Sequence, residues 1–242
     1  MRGDILDIIN IQDYKFLSFK TQGAGIIFST AEGGLDFNKS AEQGRKNLEA
    51  LKGWFSLEEV GFLHQTHSED IYIYDGIVQE GDGLITDKKG IGIGVFTADC
   101  VPVLIYDEKR KVIAAVHSGW KGTVKKIAAK AVKRMMEEYE CCLENMSVFI
   151  GPHNRSCCYE VGQEVADEFI KDAAYLGLEL VADRKLNLEK CIKQQLLICG
   201  IKKENIQSAG VCTFCSNEYK LHSYRKDKEA SGRMFSFIYL TN

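Results

Sequence analysis

Residues 97–123 read TADCVPVLIYDEKRKVIAAVHSGWKGT, and no other stretch constrains the fold as tightly. Two apolar runs of strand length, 101–106 and 112–116, flank a charged turn at 107–110 and lead into a helix-forming segment. The pattern is that of a β-hairpin feeding a helix. Cys100 precedes the first strand and His117 follows the second, so closing the hairpin brings a thiol and an imidazole to the same end. A third donor lies upstream in HQTH, where His67 follows the short apolar segment 60–63.

Composition limits the setting in which these residues work. The chain has 242 residues, enough for a substantial core, and a single domain over residues 1–242 is expected. Hydrophobic residues make up 45% and charged residues 27%, the balance of a globular protein rather than a disordered one. A net charge of −3 gives no pull toward nucleic acid or an anionic membrane. The opening MRGDILDIIN lacks the apolar core of a signal peptide, and no apolar run reaches membrane-spanning length. A cytoplasmic protein with no nucleic-acid or membrane partner is therefore expected, either a monomer or a homodimer. The nine cysteines are odd in number, include adjacent pairs at Cys141, Cys142 and at Cys157, Cys158, and sit in a chain too large to need a disulfide framework. Most are expected to be reduced and packed as small apolar residues. Cys100 has the setting for chemistry, with Cys158, Cys212 and Cys215 as weaker candidates.

Short β-like runs at 5–9, 14–19 and 26–29 open the chain. A helix is expected over 41–51, with Leu48 and Leu51 on one face and Gly44 working against it. Further strands are expected at 60–63, 71–74 and 91–96, with a turn at Gly81, Asp82 and Gly83. Gly90, Gly92 and Gly94 precede or interrupt a strand instead of linking a strand to a helix, which argues against a phosphate-binding loop. The clearest helix runs over 124–139, with Ile127, Ala131 and Met135 as its buried stripe. Its lysines and Arg134 read as a solvated face, because no aromatic residue interleaves with them. A strand at 148–150, helices at 163–170 and 188–199, and strands at 209–212 and 234–240 complete the pattern. Strands and helices mixed along the chain, with no repeat or linker, give the α/β or α+β class.

Two histidines and one cysteine form an accepted ligand set for catalytic zinc, leaving a fourth position open. His67, Cys100 and His117 match that set, although their spacings lie outside the short finger-type motifs. Cys100 with His117 also reads as a nucleophile and its base, the arrangement of a cysteine hydrolase. The CTFC step holding Cys212 and Cys215 has no second CxxC to complete a four-cysteine site, and a structural or incidental role is expected for it.

GFLHQTH, GDGLIT, TADCVPVLIYD, AAVHSGWKGT, IGPHNRSCCYEVG and CTFC followed by HSYRKD and SGR occur in this order. Together they resemble the successive motifs of the YfiH-like laccase-domain family, also called polyphenol oxidase family proteins, over nearly the whole chain. The resemblance implies a mixed α/β domain with α/β/β/α layering and a mononuclear zinc held by His67, Cys100 and His117. It also implies a zinc-dependent purine nucleoside phosphorylase acting on adenosine, inosine and S-methyl-5′-thioadenosine, with adenosine deaminase activity, so that purine nucleosides and phosphate are its partners. One departure concerns FSTR followed by a Gly-Gly pair, which here reads FSTAEGG: Ala31 stands where the family resemblance leads one to expect Arg. If that Arg holds an anionic substrate, Arg45, Lys121, Arg225 or Arg233 must compensate.

Five histidines are too few for the copper sites of a multicopper oxidase, whereas copper at the same three ligands is compatible with their chemistry. Deamination needs a group to carry protons to and from a metal-activated water, and Asp99 and His64 stand nearest in sequence; either also suits orienting a ligand imidazole. For phosphorolysis, Arg225 and Lys121 are the candidates for phosphate or substrate charge. The competing activities are a Cys-His amidohydrolase acting on cell-wall precursor peptides and a copper-dependent polyphenol oxidase.

Overall fold

The computed structural model describes residues 6–241, and twelve of its strands divide equally between two sheets. Three strands come first: β1 (Asp7–Ile11), β2 (Tyr14–Phe19) and β3 (Ala24–Ser29). Helix α1 (Glu42–Phe55) precedes β4 (Glu59–Gly61), β5 (Ile71–Ile73), β6 (Gly83–Thr86) and β7 (Ile91–Thr97). The central hairpin is β8 (Val101–Asp107) with β9 (Val112–Ser118). Beyond it run α2 (Trp120–Val124), α3 (Ile127–Tyr139), β10 (Met146–Ile150) and α4 (Gln163–Ile170). A short pair, β11 (Val181–Ala182) and β12 (Lys185–Leu186), leads to α5 (Leu188–Ile198) and β13 (Ile206–Ser208), and the chain closes with α6 (Tyr224–Asp227) and β14 (Met234–Leu240).

The first sheet has the order β1-β2-β3-β14-β7-β4 and the second β13-β10-β8-β9-β6-β5. Every residue of β7, β8 and β9 is buried, which requires cover on both faces of each sheet. Because successive side chains alternate across a strand, Leu104, Tyr106, Ile113 and Ala115 enter a core shared with Phe28, Ile93 and Ile238 of the first sheet. Their neighbours Val103, Ile105, Ala114 and Val116 pack the other way, against Ala128 and Val132 of α3 and Ile192 of α5. On the far side, Leu48 and Leu51 of α1 cover Phe16, Ile27 and Phe235 of the first sheet. The layers therefore run helix, sheet, sheet, helix, and the mixed α/β class with α/β/β/α layering is what the chain adopts. Among the described residues, no helix is long and apolar enough to cross a membrane.

The hairpin forms in the expected register, with Pro102 opposite His117 and Val101 opposite Ser118. Buried Asp107 closes its turn by accepting the N–H groups of Lys109 and Arg110 at 2.9 and 2.8 Å. Several boundaries differ from the sequence reading, each for a tertiary reason. The helix expected over 124–139 is broken: Thr123 Oγ1 bonds the Gly119 carbonyl at 2.9 Å, Lys126 turns left-handed at φ 63°, and α3 starts afresh at Ile127. The strand expected at 209–212 lies earlier, as β13, because Ile206–Ser208 is the segment that pairs in parallel with β10; Cys212 makes one isolated bridge, to His153. The opening strand pairs over Asp7–Ile11 with β2, and Ile5 falls outside the described residues. The run at 60–63 pairs only through Gly61, as β4. Gly81, Asp82 and Gly83 are no surface turn, since Gly83 opens β6 and Asp82 has no exposed surface.

The glycines of β7 make room for side chains packed close against the strand. A Cβ on Gly92 would stand 2.7 Å from Leu57 Cδ1, and one on Gly94 would stand 2.7 Å from both Phe237 Cβ and the Ser236 carbonyl while striking the Phe235 ring. Gly44 serves α1 in the same way, because a Cβ there would collide with the backbone of Asn38 and lift the 36–40 segment off the helix. We predict that Gly94→Val destabilises the fold by about 1–3 kcal/mol through overpacking. Urea denaturation of the two proteins checks this, and an unchanged midpoint would contradict the packing account.

Candidate metal centre

Strands β4 and β7 run parallel, so both leave the first sheet at the same end. Both connections then cross to the second sheet, one reaching β5 and the other β8. His67 lies on the first crossover and Cys100 closes the second, while His117 sits near the end of β9 beside the start of β8. The two-sheet topology thus delivers three donors to one place. Their ligating atoms all lie within 4.8 Å of one another. Cys100 Sγ is 3.8 Å from His67 Nε2, and the two imidazoles meet edge to face at 4.9 Å between centroids. Gly119 eases this approach: a Cβ there would stand 3.0 Å from both Cys100 Sγ and His67 Cδ2 and would press both donors aside by a few tenths of an ångström.

Asp82 holds the centre from behind. Its Oδ1 accepts the His117 Nδ1–H at 2.7 Å, which makes Nε2 the nitrogen that ligates once the imidazolium gives up its other proton. Its Oδ2 accepts Ser68 N at 2.6 Å, Ser68 Oγ at 2.8 Å and Thr66 N at 3.2 Å, which fixes both neighbours of His67. His67 itself adopts φ 59°, a left-handed backbone imposed between those two anchors. Burial pushes the Asp82 carboxyl up, but the bond and charge of His117 together with the Ser68 bonds outweigh it and bring the group down to about 2. Burial likewise opposes charge on Cys100 and His117. The His117 imidazolium and the bond from His67 nevertheless draw the Cys100 thiol down to about 6. The Cys100 thiolate and Asp82 in turn raise His117 to about 9. The donor set therefore fits one transition-metal ion: a ready thiolate, one imidazole of fixed tautomer and a second on an anchored loop.

These donors floor a cleft of about 520 Å³ lined also by Phe37, Asn38, Lys39, Ser40, Gln65, Phe96 and Arg233. Gln65 is locked to the Phe96 backbone by two bonds of 2.8 Å. Lys39 lies 5.0 and 4.7 Å from the ring centroids of Phe62 and Phe96 and donates to the Leu63 carbonyl at 3.2 Å; burial lowers its pKa. Arg233 donates through Nη1 to the Ser231 and Gly232 carbonyls at 3.0 and 2.9 Å.

The sequence candidates distribute unevenly around the cleft. His67, Cys100, His117 and Arg233 line it. Arg45 acts at one remove, donating to the Lys39 and Ser40 carbonyls at 2.8 and 3.3 Å. Asp99, nearly buried at φ 101°, accepts Thr213 Oγ1 at 2.6 Å, Ser223 Oγ at 2.7 Å and Arg225 N at 2.7 Å. Its carboxylate holds the turn before Cys100 and is not part of the cleft lining. His64 is exposed, with its backbone bridged to Glu80. Arg225 lies 5.0 Å over the Tyr159 ring and bonds the Glu160 carbonyl, and Lys121 lies 5.7 Å from Trp120; neither lines the cleft. Ala31 is buried, with its N–H on the Lys220 carbonyl at 2.8 Å. Sequence reasoning missed Lys39, Gln65, Phe37 and above all Asp82, whose one signal is a carboxylate standing between two glycines at the mouth of an apolar strand.

A four-layer α/β protein with a His2Cys donor set where its sheets cross over is the class that this geometry defines. The sequence model for multi-copper polyphenol oxidoreductase laccase matches residues 17–241, and the chain belongs to that family. It is 48% identical to a purine nucleoside phosphorylase of Clostridium acetobutylicum, over 96% of this chain and 99% of that protein. Among solved structures it is similar to the hypothetical protein YfiH of Bacillus licheniformis, with TM-score 0.84, 26% identity and coverage of 97% and 99% of the two chains. YlmD from Geobacillus stearothermophilus shares the fold, with TM-score 0.85 and 24% identity at the same coverage.

Two outcomes follow for metal binding. Asp82→Asn should weaken affinity about 10–100-fold while leaving all three donors in place, as measured by competition with a chromophoric chelator. Affinity should also depend on pH in a defined sense. Between about 6 and about 9 the thiol is already ionised and His117 still carries its proton, so loading expels one proton. Apparent affinity then rises roughly tenfold per pH unit across that window, more steeply below it, and levels off above it. A flat profile would contradict the thiolate–imidazolium pair.

Proposed function

We propose that this chain is a zinc-dependent purine nucleoside phosphorylase that cleaves adenosine, inosine and S-methyl-5′-thioadenosine with phosphate and also deaminates adenosine. The observation that carries the reading is the 48% identity, over nearly the full length of both chains, to a purine nucleoside phosphorylase. The donor chemistry supports zinc: one thiolate and two imidazoles beneath an open cleft match a catalytic site that keeps a position for water or substrate. When bound, the ion supplies a Lewis acid at the cleft floor. Copper is compatible with the same donors.

The chain's own residues supply the rest. Phe96 offers a purine an apolar edge beside the centre, and the fully buried Phe37 supports that wall from within. Lys39 and Arg233 bring two cations to the same cleft, where phosphate and the developing charge of its attack on the ribose anomeric carbon need them. Arg45 fixes the backbone that carries Lys39, and Asp99 fixes the turn that carries Cys100. We assign these two to positioning, because neither lines the cleft and each bonds the segment that carries a residue that does.

One observation favours a second reading. Asp82, His117 and Cys100 are aligned as an acid, base and nucleophile would be in a cysteine hydrolase, and the thiol is ionisable near neutral pH. His67 argues for the metal, since a nucleophile paired with one base needs no second imidazole on its sulfur. A multicopper oxidase finds less support: the described residues gather metal-competent side chains into one group of three donors and one of four thiols, without the imidazole-rich cluster that such chemistry uses.

Purified protein should release hypoxanthine from inosine only when phosphate is present. Cys100→Ala should abolish both metal binding and turnover, and Lys39→Met should raise KM for phosphate about tenfold with a smaller effect on kcat. Full nucleoside turnover in metal-free protein would overturn the zinc reading. Metal-independent, alkylation-sensitive peptide hydrolysis would establish the hydrolase instead.

A further inference from the structure

Cys157, Cys158, Cys212 and Cys215 form a second donor cluster, well separated in role from the His67 centre. The CTFC step lacks a second CxxC in the sequence, yet the fold provides its equivalent. Strands β10 and β13 are parallel neighbours, so the segments that follow them leave the sheet side by side. His153 N donates to the Val211 carbonyl at 3.3 Å, and Thr213 N returns a bond to the His153 carbonyl at 3.0 Å. Each segment then closes a tight turn, with Cys158 N on the Arg155 carbonyl at 2.8 Å and Ser216 N on the Cys212 carbonyl at 3.1 Å. The turns face each other, and all four sulfurs lie within 4.8 Å of one another, with Cys157 and Cys215 at 3.6 Å.

From this arrangement we propose a second metal site, a closed tetrathiolate that binds one zinc ion for structural purposes. Four sulfurs at zinc–sulfur bond lengths around one tetrahedral ion stand about 3.8 Å apart, so the separations among the four thiols need to change by about an ångström at most. Ordinary packing does not account for the cluster, because Cys157 and Cys215 are exposed and Cys158 half-buried, where a small apolar side chain gains little. Four thiols with no imidazole and no spare position favour a mononuclear structural ion over a catalytic one.

The site would also brace the first centre. Thr213, inside the CTFC step, donates to Asp99, and Asn154 N bonds the Asp99 carbonyl at 2.9 Å. Both segments that the ion would join thus grip the turn that presents Cys100.

The test is metal content per chain after zinc loading in reducing buffer. Wild type should hold two zinc ions, Cys100→Ser one and Cys215→Ser one, so failure at either centre is read separately. Cys215→Ser should also lower the thermal midpoint. Cobalt loaded into Cys100→Ser should give the intense visible bands of a tetrahedral tetrathiolate. Should Cys215→Ser not fold, native alkylation of wild type decides: Cys157, Cys158, Cys212 and Cys215 should be protected when zinc is bound and react after chelation. A single ion in wild type that vanishes in Cys100→Ser would overturn the proposal, as would a Cys157–Cys215 disulfide found by peptide mapping under the same conditions.

Discussion

The centre depends on one buried carboxylate. Asp82 has no exposed surface, and an unpaired charge there would be prohibitively costly. Four hydrogen bonds from His117, Ser68 and Thr66 compensate it, and each one constrains part of the site. Its backbone extends the same links, because Asp82 N bonds the Asp70 carbonyl at 2.9 Å and the Asp82 carbonyl accepts His117 N at 2.8 Å. The crossover that carries His67 and the strand end that carries His117 are therefore joined through a single residue. A group that must be fully bonded to be buried at all makes a good template, since the geometry that satisfies it is narrow.

How legible each part was in the sequence follows from the range of the interaction that creates it. Cys100 and His117 were readable as a pair because a hairpin turn fixes their separation locally. His67 joins them through two crossovers between sheets, a relation that residue spacing does not encode; the HQTH step offered it only as a candidate donor, and the family resemblance made it a ligand. Asp82 was concealed by its flanking glycines, which read as a turn although Gly83 begins a strand. The four thiols were invisible as a set because their meeting depends on the parallel pairing of β10 with β13. The mixture of strands and helices was legible in the apolar runs and the layering came with the family resemblance, while helix breaks such as Lys126 depended on how Thr123 folds back on Gly119.

Glycine shows the same division. Gly44 looked like a weakness in a helix and Gly94 like an interruption in a strand, yet both are places where another group comes too close for a side chain. At Gly44 the consequence reaches the cleft. The close approach seats the 36–40 segment on α1, where Arg45 then ties down its carbonyls. A local propensity penalty of about 1 kcal/mol is small beside the packing that it permits.

The charge of the cleft follows from that seating. Ala31 is buried beside Lys220 and brings no cation, so positive charge must come from elsewhere in the chain. Lys39 and Arg233 supply it, and the partners that hold them are backbone carbonyls of Leu63, Ser231 and Gly232. Among the described residues neither side chain forms an ion pair with a carboxylate, whereas Lys130 and Lys133 of α3, and Lys125 and Lys126 just before it, do. A carbonyl orients a cation without cancelling its charge, which in the proposed function leaves both groups to attract the phosphate above the His67, Cys100 and His117 centre. In the proposed function, this arrangement takes the place of the arginine expected at position 31.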